Sequence, residues 1–244
     1  MAALSIDTVA NLCAVAVNNH KTGELLSVVS HDIGRGHAEI LMDVIDEAMN
    51  QANIGYKDLE KIITTIGPGS FTGVRVGISV GRAIGLGLSK PVIGVSTLQA
   101  SAQYAAQVGN GENAGKNISV IIDARRSEFY FQPFQNGIPV QDAMVCKFSD
   151  LLENHKKQNL ENIVICGSGA KKFNEEVAIS NHKTNFMIAH QLATAPIESV
   201  AKIGLAVAIP EMRPEPLYLR GADAKKQQGF AVSRSDSQNI KTDS

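Results

Sequence analysis

The sequence predicts an α/β protein of two similar lobes, each a mixed sheet flanked by helices. Three observations point there. Short apolar, β-branched runs alternate with longer stretches of helical periodicity. One strand–turn–strand pattern occurs twice, as LSIDTVANLCAVAV near the start and VIIDARRSEFYF in the second half. Between the halves lies NGENAGKN, polar and glycine-bearing, the composition of a boundary. The organisation expected is a lobe over 1–108, a smaller lobe over 109–220 and a polar, disordered tail over 221–244.

The elements run in order along the chain. ALSID, CAVAVNN and ELLSVVSH read as strands, and helical periodicity then runs from Arg35 to about Asn53. KIITTI is a buried strand, and the apolar segment 74–88 a helix. KPVIGVS is a strand ending at Ser96, which can cap a helix from Thr97 to about Val108. ISVIIDARRSEFYFQPF reads as two strands, NIVICGSGA as strand, turn and helix start, and 196–209 as a last helix before Pro210.

Composition narrows the function. The chain has 244 residues, 44% of them hydrophobic, enough to bury a proper core. A net charge of −1 gives no global basic field, which argues against a stand-alone nucleic-acid binder. Cys13, Cys146 and Cys166 form no Cys-x-x-Cys pair and suit a reducing compartment. The first residues lack a basic region and carry Asp7 inside the apolar run, unlike a signal peptide. Segment 74–88 is too short to span a bilayer and contains Arg75 and Arg82. A cytoplasmic protein with no membrane contact is expected.

The repeated pattern has two readings. One is a pair of ordinary hairpins, each with an Asp at its turn. The other is a duplicated lobe whose Asp-bearing turns face a shared cleft, the layout of the actin, hexokinase and Hsp70 fold. Such turns offer backbone N–H groups to phosphate, and the Asp can position a hydrated metal ion. Asp7, Thr8 and Asp123 are therefore candidate, vestigial nucleotide-binding residues.

The stretch TTIGPGSFTGVRVGISVGRAIGLGL, residues 64–88, holds seven glycines. It is no phosphate loop: no Lys stands where a Walker A motif needs one, and Thr72 takes the place of the third glycine in Gly-x-Gly-x-x-Gly. GPGS makes a turn, with Ser70 or Thr72 able to cap the helix after it. Gly73, Gly77, Gly81 and Gly85 recur every four residues and form one row on a helix. Each costs about 0.5–1 kcal/mol relative to Ala, so a close neighbour should offset them. The expected neighbour at Gly77 and Gly81 is a helix backbone, either the 35–53 helix or a partner's. Arg75, Ser79 and Arg82 form a narrow polar stripe, and the 35–53 helix is apolar over an arc of about 200°. The two helices either cover each other or make a docking face for another protein. The candidate docking residues are His37, Ile40, Leu41, Val44, Ile45, Gly73, Gly77, Val80, Gly81 and Ile84.

The run GPGSFTGVRVGISVGRAIGLGLSKPVIGVSTLQA closely resembles the signature of the TsaB (YeaZ) family. SIDTVANLCAVAV, HAEILMDVIDEAMNQANI, IDARRSEFYF and PLYLR add to the resemblance, which covers most of residues 3–220 and is densest over 62–98. It implies duplicated lobes of the actin-like class (ASKHA, ribonuclease H-like), shared with a catalytic paralogue, TsaD. It implies a role in making threonylcarbamoyladenosine at the tRNA adenosine next to the anticodon. The chain would be a non-catalytic partner that joins a TsaD-like subunit through its first two long helices, with a TsaE-like ATPase joining next. ATP or ADP would enter only in that complex, and tRNA would be met through it. A homodimer is the other assembly to consider.

The departures matter as much. The paralogue binds metal through His-x-x-x-His, and the matching stretch here is His37-Ala-Glu-Ile-Leu41. A lone His37 on an apolar face reads as a packed or interface histidine, and His20, His31, His155, His182 and His190 show no ligand spacing. No intrinsic metal, no intrinsic cofactor and no catalytic residue are expected. ICGSGAKKF reads as the remnant of an adenosine-binding turn. A protease reading lacks both Gly-x-Ser-x-Gly and His-Glu-x-x-His. A stand-alone actin-like kinase fits Asp7 and Asp123 but lacks a clear base. Arg125, Arg126, Lys171, Lys172, Lys225 and Lys226 read as solvated pairs, with approach to tRNA as the alternative.

Overall fold

A computed structural model describes residues 1–157, 163–180, 186–208 and 213–220. Pro210, His182, Lys225, Lys226 and the 221–244 tail lie outside the described residues. The first half contributes β1 (Ala2–Asp7), β2 (Leu12–Asn19), β3 (Leu25–Asp32), α1 (His37–Gln51), β4 (Leu59–Gly67), α2 (Phe71–Leu88), β5 (Val92–Ser96) and α3 (Thr97–Gln107). The second half contributes β6 (Asn117–Asp123), β7 (Glu128–Gln135), β8 (Ile138–Pro139), β9 (Met144–Lys147), α4 (Phe148–Lys157), β10 (Val164–Cys166), α5 (Ala170–Ile179), β11 (Met187–Ile188) and α6 (Ile197–Ala206).

The two sheets repeat one plan. The first runs β3-β2-β1-β4-β5, with β1, β2 and β3 antiparallel and β4 and β5 added in parallel. The second runs β11-β10-β6-β7-β8, with β9 also on β7; β6 and β7 are antiparallel, β10 and β11 parallel. Each half therefore opens on an antiparallel unit and then crosses to parallel strands through helices. The central β1 is buried along its whole length, as expected of a strand covered on both faces. The short β8, β9 and β11 carry too few residues to show a period, whereas α4, with Phe148, Leu151, Leu152 and His155 at helical spacing, has a pattern that sequence reasoning passed over.

Helix starts obey local chemistry. Ser70, rather than Thr72, caps α2: its Oγ accepts the Gly73 N–H at 3.2 Å. Ser96 caps α3 through the Leu98 N–H, also at 3.2 Å. Gly36, with φ 88°, turns the chain into α1, which begins at His37 rather than Arg35.

The third helix of each half crosses over. Helix α3 packs against the sheet that comes after it, through β6, β7 and β10, while keeping contact with β4 and β5 of its own. In return α6 comes back to β1, β2, β4 and β5 of the first sheet and touches α3. Lys61, buried on β4, fixes α6 there: its Nζ donates to the carbonyls of Gly204, Leu205 and Val207 at 3.3, 3.2 and 2.9 Å. These are the carbonyls a helix C-terminus leaves unpaired, where a cation is favourable.

The glycine row corrects an expectation. Its neighbour is the sheet under α2, not another helix. A Cβ on Gly73 would run into the Thr8 carbonyl oxygen, and one on Gly85 into the Val92 side chain. On Gly77 it would lie 2.6 Å from Thr8 Oγ1, and on Gly81 3.4 Å from Ile62 Cγ2. The row lets α2 settle onto β1 and β4, and closer burial against the sheet offsets the helix penalty.

Candidate functional site

The candidate site is built at the ends of β1 and β6. Where β1 ends, Asp7 is 1% exposed and each of its oxygens has a partner. Oδ1 accepts the Thr65 hydroxyl at 2.7 Å and the Val9 N–H at 3.1 Å. Oδ2 accepts the Thr194 hydroxyl at 2.6 Å, from the segment leading into α6. Burial pushes the Asp7 carboxyl above its usual range, and the bonds from Thr194, Thr65 and Val9 pull it back. Thr8 is buried too, its hydroxyl donating to the Gly73 carbonyl at 2.7 Å. The residues singled out for nucleotide or metal in the first half are thus internally satisfied.

The second turn keeps the backbone pattern in the open. Asp123 is exposed, and its Oδ1 accepts the Arg125 N–H at 2.8 Å. Its own N–H donates to Ser168 Oγ at 3.1 Å. The echo extends further than the aspartates. β4 ends on the first glycine of Gly67-Pro68-Gly69 and β10 is followed by Gly167-Ser168-Gly169, with φ of 94° and 100° at the first glycines. Both turns close on the strand pair beside them: Ser70 N–H donates to the Val9 carbonyl at 2.7 Å, and Gly169 N–H to the Ile121 carbonyl at 2.9 Å. ICGSGAKKF is this second turn, and the paired Gly-x-Gly spacing in the sequence was a signal for it.

No group of three or more metal-ligating side chains forms among the described residues. His37 Nε2 lies 3.2 Å from the Leu12 carbonyl oxygen, which fixes the ring as a donor there. His155 and His190 are buried against Ser119 and Ser101. All three cysteines are buried and free. Burial, reinforced by Asp7, pushes the Cys13 thiol up to about 11, the opposite of an activated nucleophile.

The candidate docking residues fall into two groups. Leu41 and Ile45 are wholly buried and His37 and Val44 nearly so, in the core between α1 and the sheet. Gly73, Gly77 and Gly81 face the sheet. These seven have no side-chain surface to offer a partner in this structure. Ile40, Val80 and Ile84 are half-buried and, with Val76 and Leu88, pack against the α1 core, so the helices do cover each other in part. What stays outside is Met42 on α1 and Phe71, Ala83 and Leu86 on α2, with Leu86 68% exposed. Tyr218, which periodicity could not place, joins this face from the segment 213–220: Leu217 N–H donates to the Ile66 carbonyl at 2.8 Å.

Among the described residues no helix is long and apolar enough to cross a membrane. A sequence model of the family described as TsaD, tRNA N6-adenosine threonylcarbamoyltransferase, matches residues 17–230. The tRNA threonylcarbamoyladenosine biosynthesis protein TsaB of Escherichia coli is 33% identical over 141 residues, 57% of this chain and 58% of that protein. Its namesake in Haemophilus influenzae is 34% identical over 130 residues, 52% and 51% of the two chains. The match thus spans little more than half the length of these curated relatives. Among solved structures, an uncharacterized Pseudomonas aeruginosa protein with similarity to peptidase YeaZ superposes with a TM-score of 0.70 at 23% identity, over 90% of this chain and 99% of that one. YeaZ from Pseudomonas aeruginosa gives 0.63 at 21% identity, over 83% and 91%. The duplicated sheets and these likenesses establish the actin-like class of fold, and the sequence match over most of its length places the chain in the TsaD family, within which these curated relatives are TsaB (YeaZ) proteins.

Proposed function

We propose that the chain serves in making threonylcarbamoyladenosine on tRNA, as a subunit without catalytic groups of its own that supports a TsaD-like catalytic partner. The observation that carries this reading is the sealing of Asp7. The carboxylate that would hold a hydrated cation in an actin-like enzyme spends its acceptors on Thr65, Thr194 and Val9. The relatives' names supply the pathway. Docking uses the outer faces of α1 and α2, through Met42, Ala83 and Leu86 with the half-buried Ile40, Val80 and Ile84 at their base. A TsaE-like ATPase then joins. ATP or ADP and the tRNA are met in the assembled complex, in the cytoplasm.

Reconstitution tests the reading. Threonylcarbamoyladenosine formation by the TsaD-like subunit should depend on adding the chain, while the chain alone turns over neither ATP nor peptide at an enzyme-like rate. Leu86→Asp should weaken binding to the TsaD-like subunit about 10-fold or more and lower the stability of the chain by only about 1 kcal/mol, the cost of an Asp in the last turn of α2, since Leu86 lies outside the core. Robust ATP turnover by the isolated chain, abolished in Asp7→Ala, would replace this reading with a kinase.

A further inference from the structure

At the start of α2, three side chains from two distant parts of the chain form one unit. The Arg75 guanidinium carbon lies 3.7 Å from the centre of the Phe71 ring and 5.5 Å from that of Tyr218. The two rings are 5.2 Å apart. Arg75 Nε–H donates to the Tyr218 hydroxyl oxygen at 2.6 Å. Tyr218 is itself held, because Leu217 is hydrogen-bonded to Ile66 on β4 and Arg220 is ion-paired with Glu128 on β7. The unit is nonetheless at the surface: Phe71 is 44% exposed, Tyr218 47%, and Arg75 is exposed as well.

A guanidinium has a forked set of donors that matches a carboxylate. Here Nε is committed to Tyr218 and the plane is held by the aromatic rings, while no described carboxylate pairs with Arg75. The remaining donors are therefore held in one orientation toward the outside, with the entropy of ordering a long side chain already lost in the free protein. The residue types, Arg, Tyr and Phe, are those enriched at the energetic centres of protein interfaces. Charge indicates the complement. Helix α2 carries Arg75 and Arg82 and no acidic residue. A nucleic-acid footprint calls for clustered Lys and Arg, which this helix lacks, whereas exposed Leu86 and Ala83 on the same helix suit a protein.

We propose that Arg75, clamped by Phe71 and Tyr218, is the anchor by which α2 takes a carboxylate of a protein partner, and that the 213–220 segment is thereby part of the docking surface. The proposal rests on the docking reading under the proposed function and names the contact that would make it specific.

The test compares the full chain with Arg75→Ala, Arg75→Lys, Tyr218→Phe and Arg82→Ala. Each is measured for affinity to the TsaD-like subunit at low and high salt, and for its own thermal midpoint. Arg75→Ala should lose about 30-fold in affinity, the loss shrinking at high salt. Arg75→Lys should lose nearly as much, because it keeps the charge but not the fork. Tyr218→Phe should lose about 2- to 10-fold by freeing Nε, and Arg82→Ala should bind like the wild type. Three results overturn the proposal. Arg75→Ala could bind normally while its thermal midpoint falls, which leaves Arg75 only a pin for the 213–220 segment. Arg75→Lys could bind like the wild type, which leaves a point charge in place of a fork. Arg75→Ala could leave partner affinity intact yet weaken tRNA binding by the complex, which makes the occupant a phosphate. If the wild type fails to bind the TsaD-like subunit, the docking reading falls and this anchor with it; the wild-type measurement separates that failure from the others.

Discussion

The turns after β1 and β6 share a backbone and differ in everything that closes over it. In both, an Asp at the strand end accepts the N–H two residues on, Val9 for Asp7 and Arg125 for Asp123. In both, a Gly-x-Gly turn from the strand alongside packs against it. Yet Asp7 is buried under Thr65 and Thr194, and Asp123 faces solvent. The difference does not lie within the turns. It comes from the neighbouring strand β4, which supplies Thr65, and from the crossover of α6, which brings Thr194 across to the first sheet, while no hydroxyl among the described residues donates to the Asp123 carboxylate. A duplicated element thus keeps its local hydrogen bonds, and its chemistry is decided by which distant segment covers it.

The largest expected effect breaks the covered copy. Asp7→Ala removes the acceptor of two buried hydroxyls and a backbone N–H. Each donor left unsatisfied costs about 1–3 kcal/mol, and some re-pair, so a loss of about 3–5 kcal/mol is expected. Asp7→Asn, which keeps the shape and one acceptor, should cost clearly less. Urea midpoints of the two variants check this; an Asp7→Ala protein as stable as the wild type would mean that the seal does not hold in solution.

Next comes the contact between α2 and the sheet. Gly73→Ala should be poorly tolerated, losing about 3 kcal/mol, because the added methyl meets the backbone carbonyl of Thr8, which cannot move alone. Gly81→Ala places its methyl 3.4 Å from Ile62 Cγ2, an ordinary contact, and gains up to about 1 kcal/mol of helix propensity. It should be neutral or slightly stabilising. Gly81→Leu, which overpacks against Ile62 and Thr64, should lower the thermal midpoint of the chain with no partner present. A Gly81→Leu protein of unchanged stability but impaired partner binding would restore the helix-to-helix reading of the row.

That row shows how much the sequence could reveal. Periodicity told that Gly73, Gly77, Gly81 and Gly85 share a line on α2, but a line has no sign: a sheet and a helix both reward close approach. Strands β1, β2, β3, β6 and β7 and helices α1, α2 and α3 were legible because each carries its own period or cap within a short window. Thr194 was not, since it meets Asp7 across 187 positions of the chain. Nor was Tyr218, whose segment has neither helical nor strand periodicity and is placed by contacts with the distant Ile66, Arg75 and Glu128. On sequence alone Leu41 and Ile45 are candidate docking residues, because an apolar arc of about 200° exceeds what one sheet covers. In the structure the sheet and α2 together take up most of it.

Acid should act on the two halves in opposite senses. In the second, His155 is buried among Phe131, Phe173 and Phe186, with Nδ1 donating to the Leu151 carbonyl at 2.9 Å and Nε2 accepting from Ser119 at 3.0 Å. Burial holds its pKa below the ordinary 6.5, outweighing the bond to Leu151. The folded form therefore binds fewer protons than the unfolded one as pH drops below 6.5, and stability is lost in that direction. Asp7 has the reverse sign. Its raised pKa makes the folded form bind more protons above 3.8, so acidification relieves its burial. Between about pH 7 and 5 an imidazole charges, so this is the range in which the histidine acts. The urea midpoint of the wild type should fall over that range, and His155→Gln should fall less, keeping only the share of His190, whose pKa burial also lowers. Equal slopes would show that His155 is hydrated in solution.

The smallest effect is expected at the uncovered turn. Asp123→Ala removes one acceptor, bonded to the Arg125 N–H at 2.8 Å, in a turn where water can replace it. The carboxylate does contribute locally. Arg125, Arg126 and Ser127 come after it with φ of 61°, 54° and 59°, a run of left-handed residues that an Asp bonded to the second backbone N–H helps to start. Loss of that bond should cost about 0.5–1 kcal/mol, several times less than Asp7→Ala, with the thermal midpoint as the measurement. Comparable losses in the two variants would mean that Asp123 is also covered in solution.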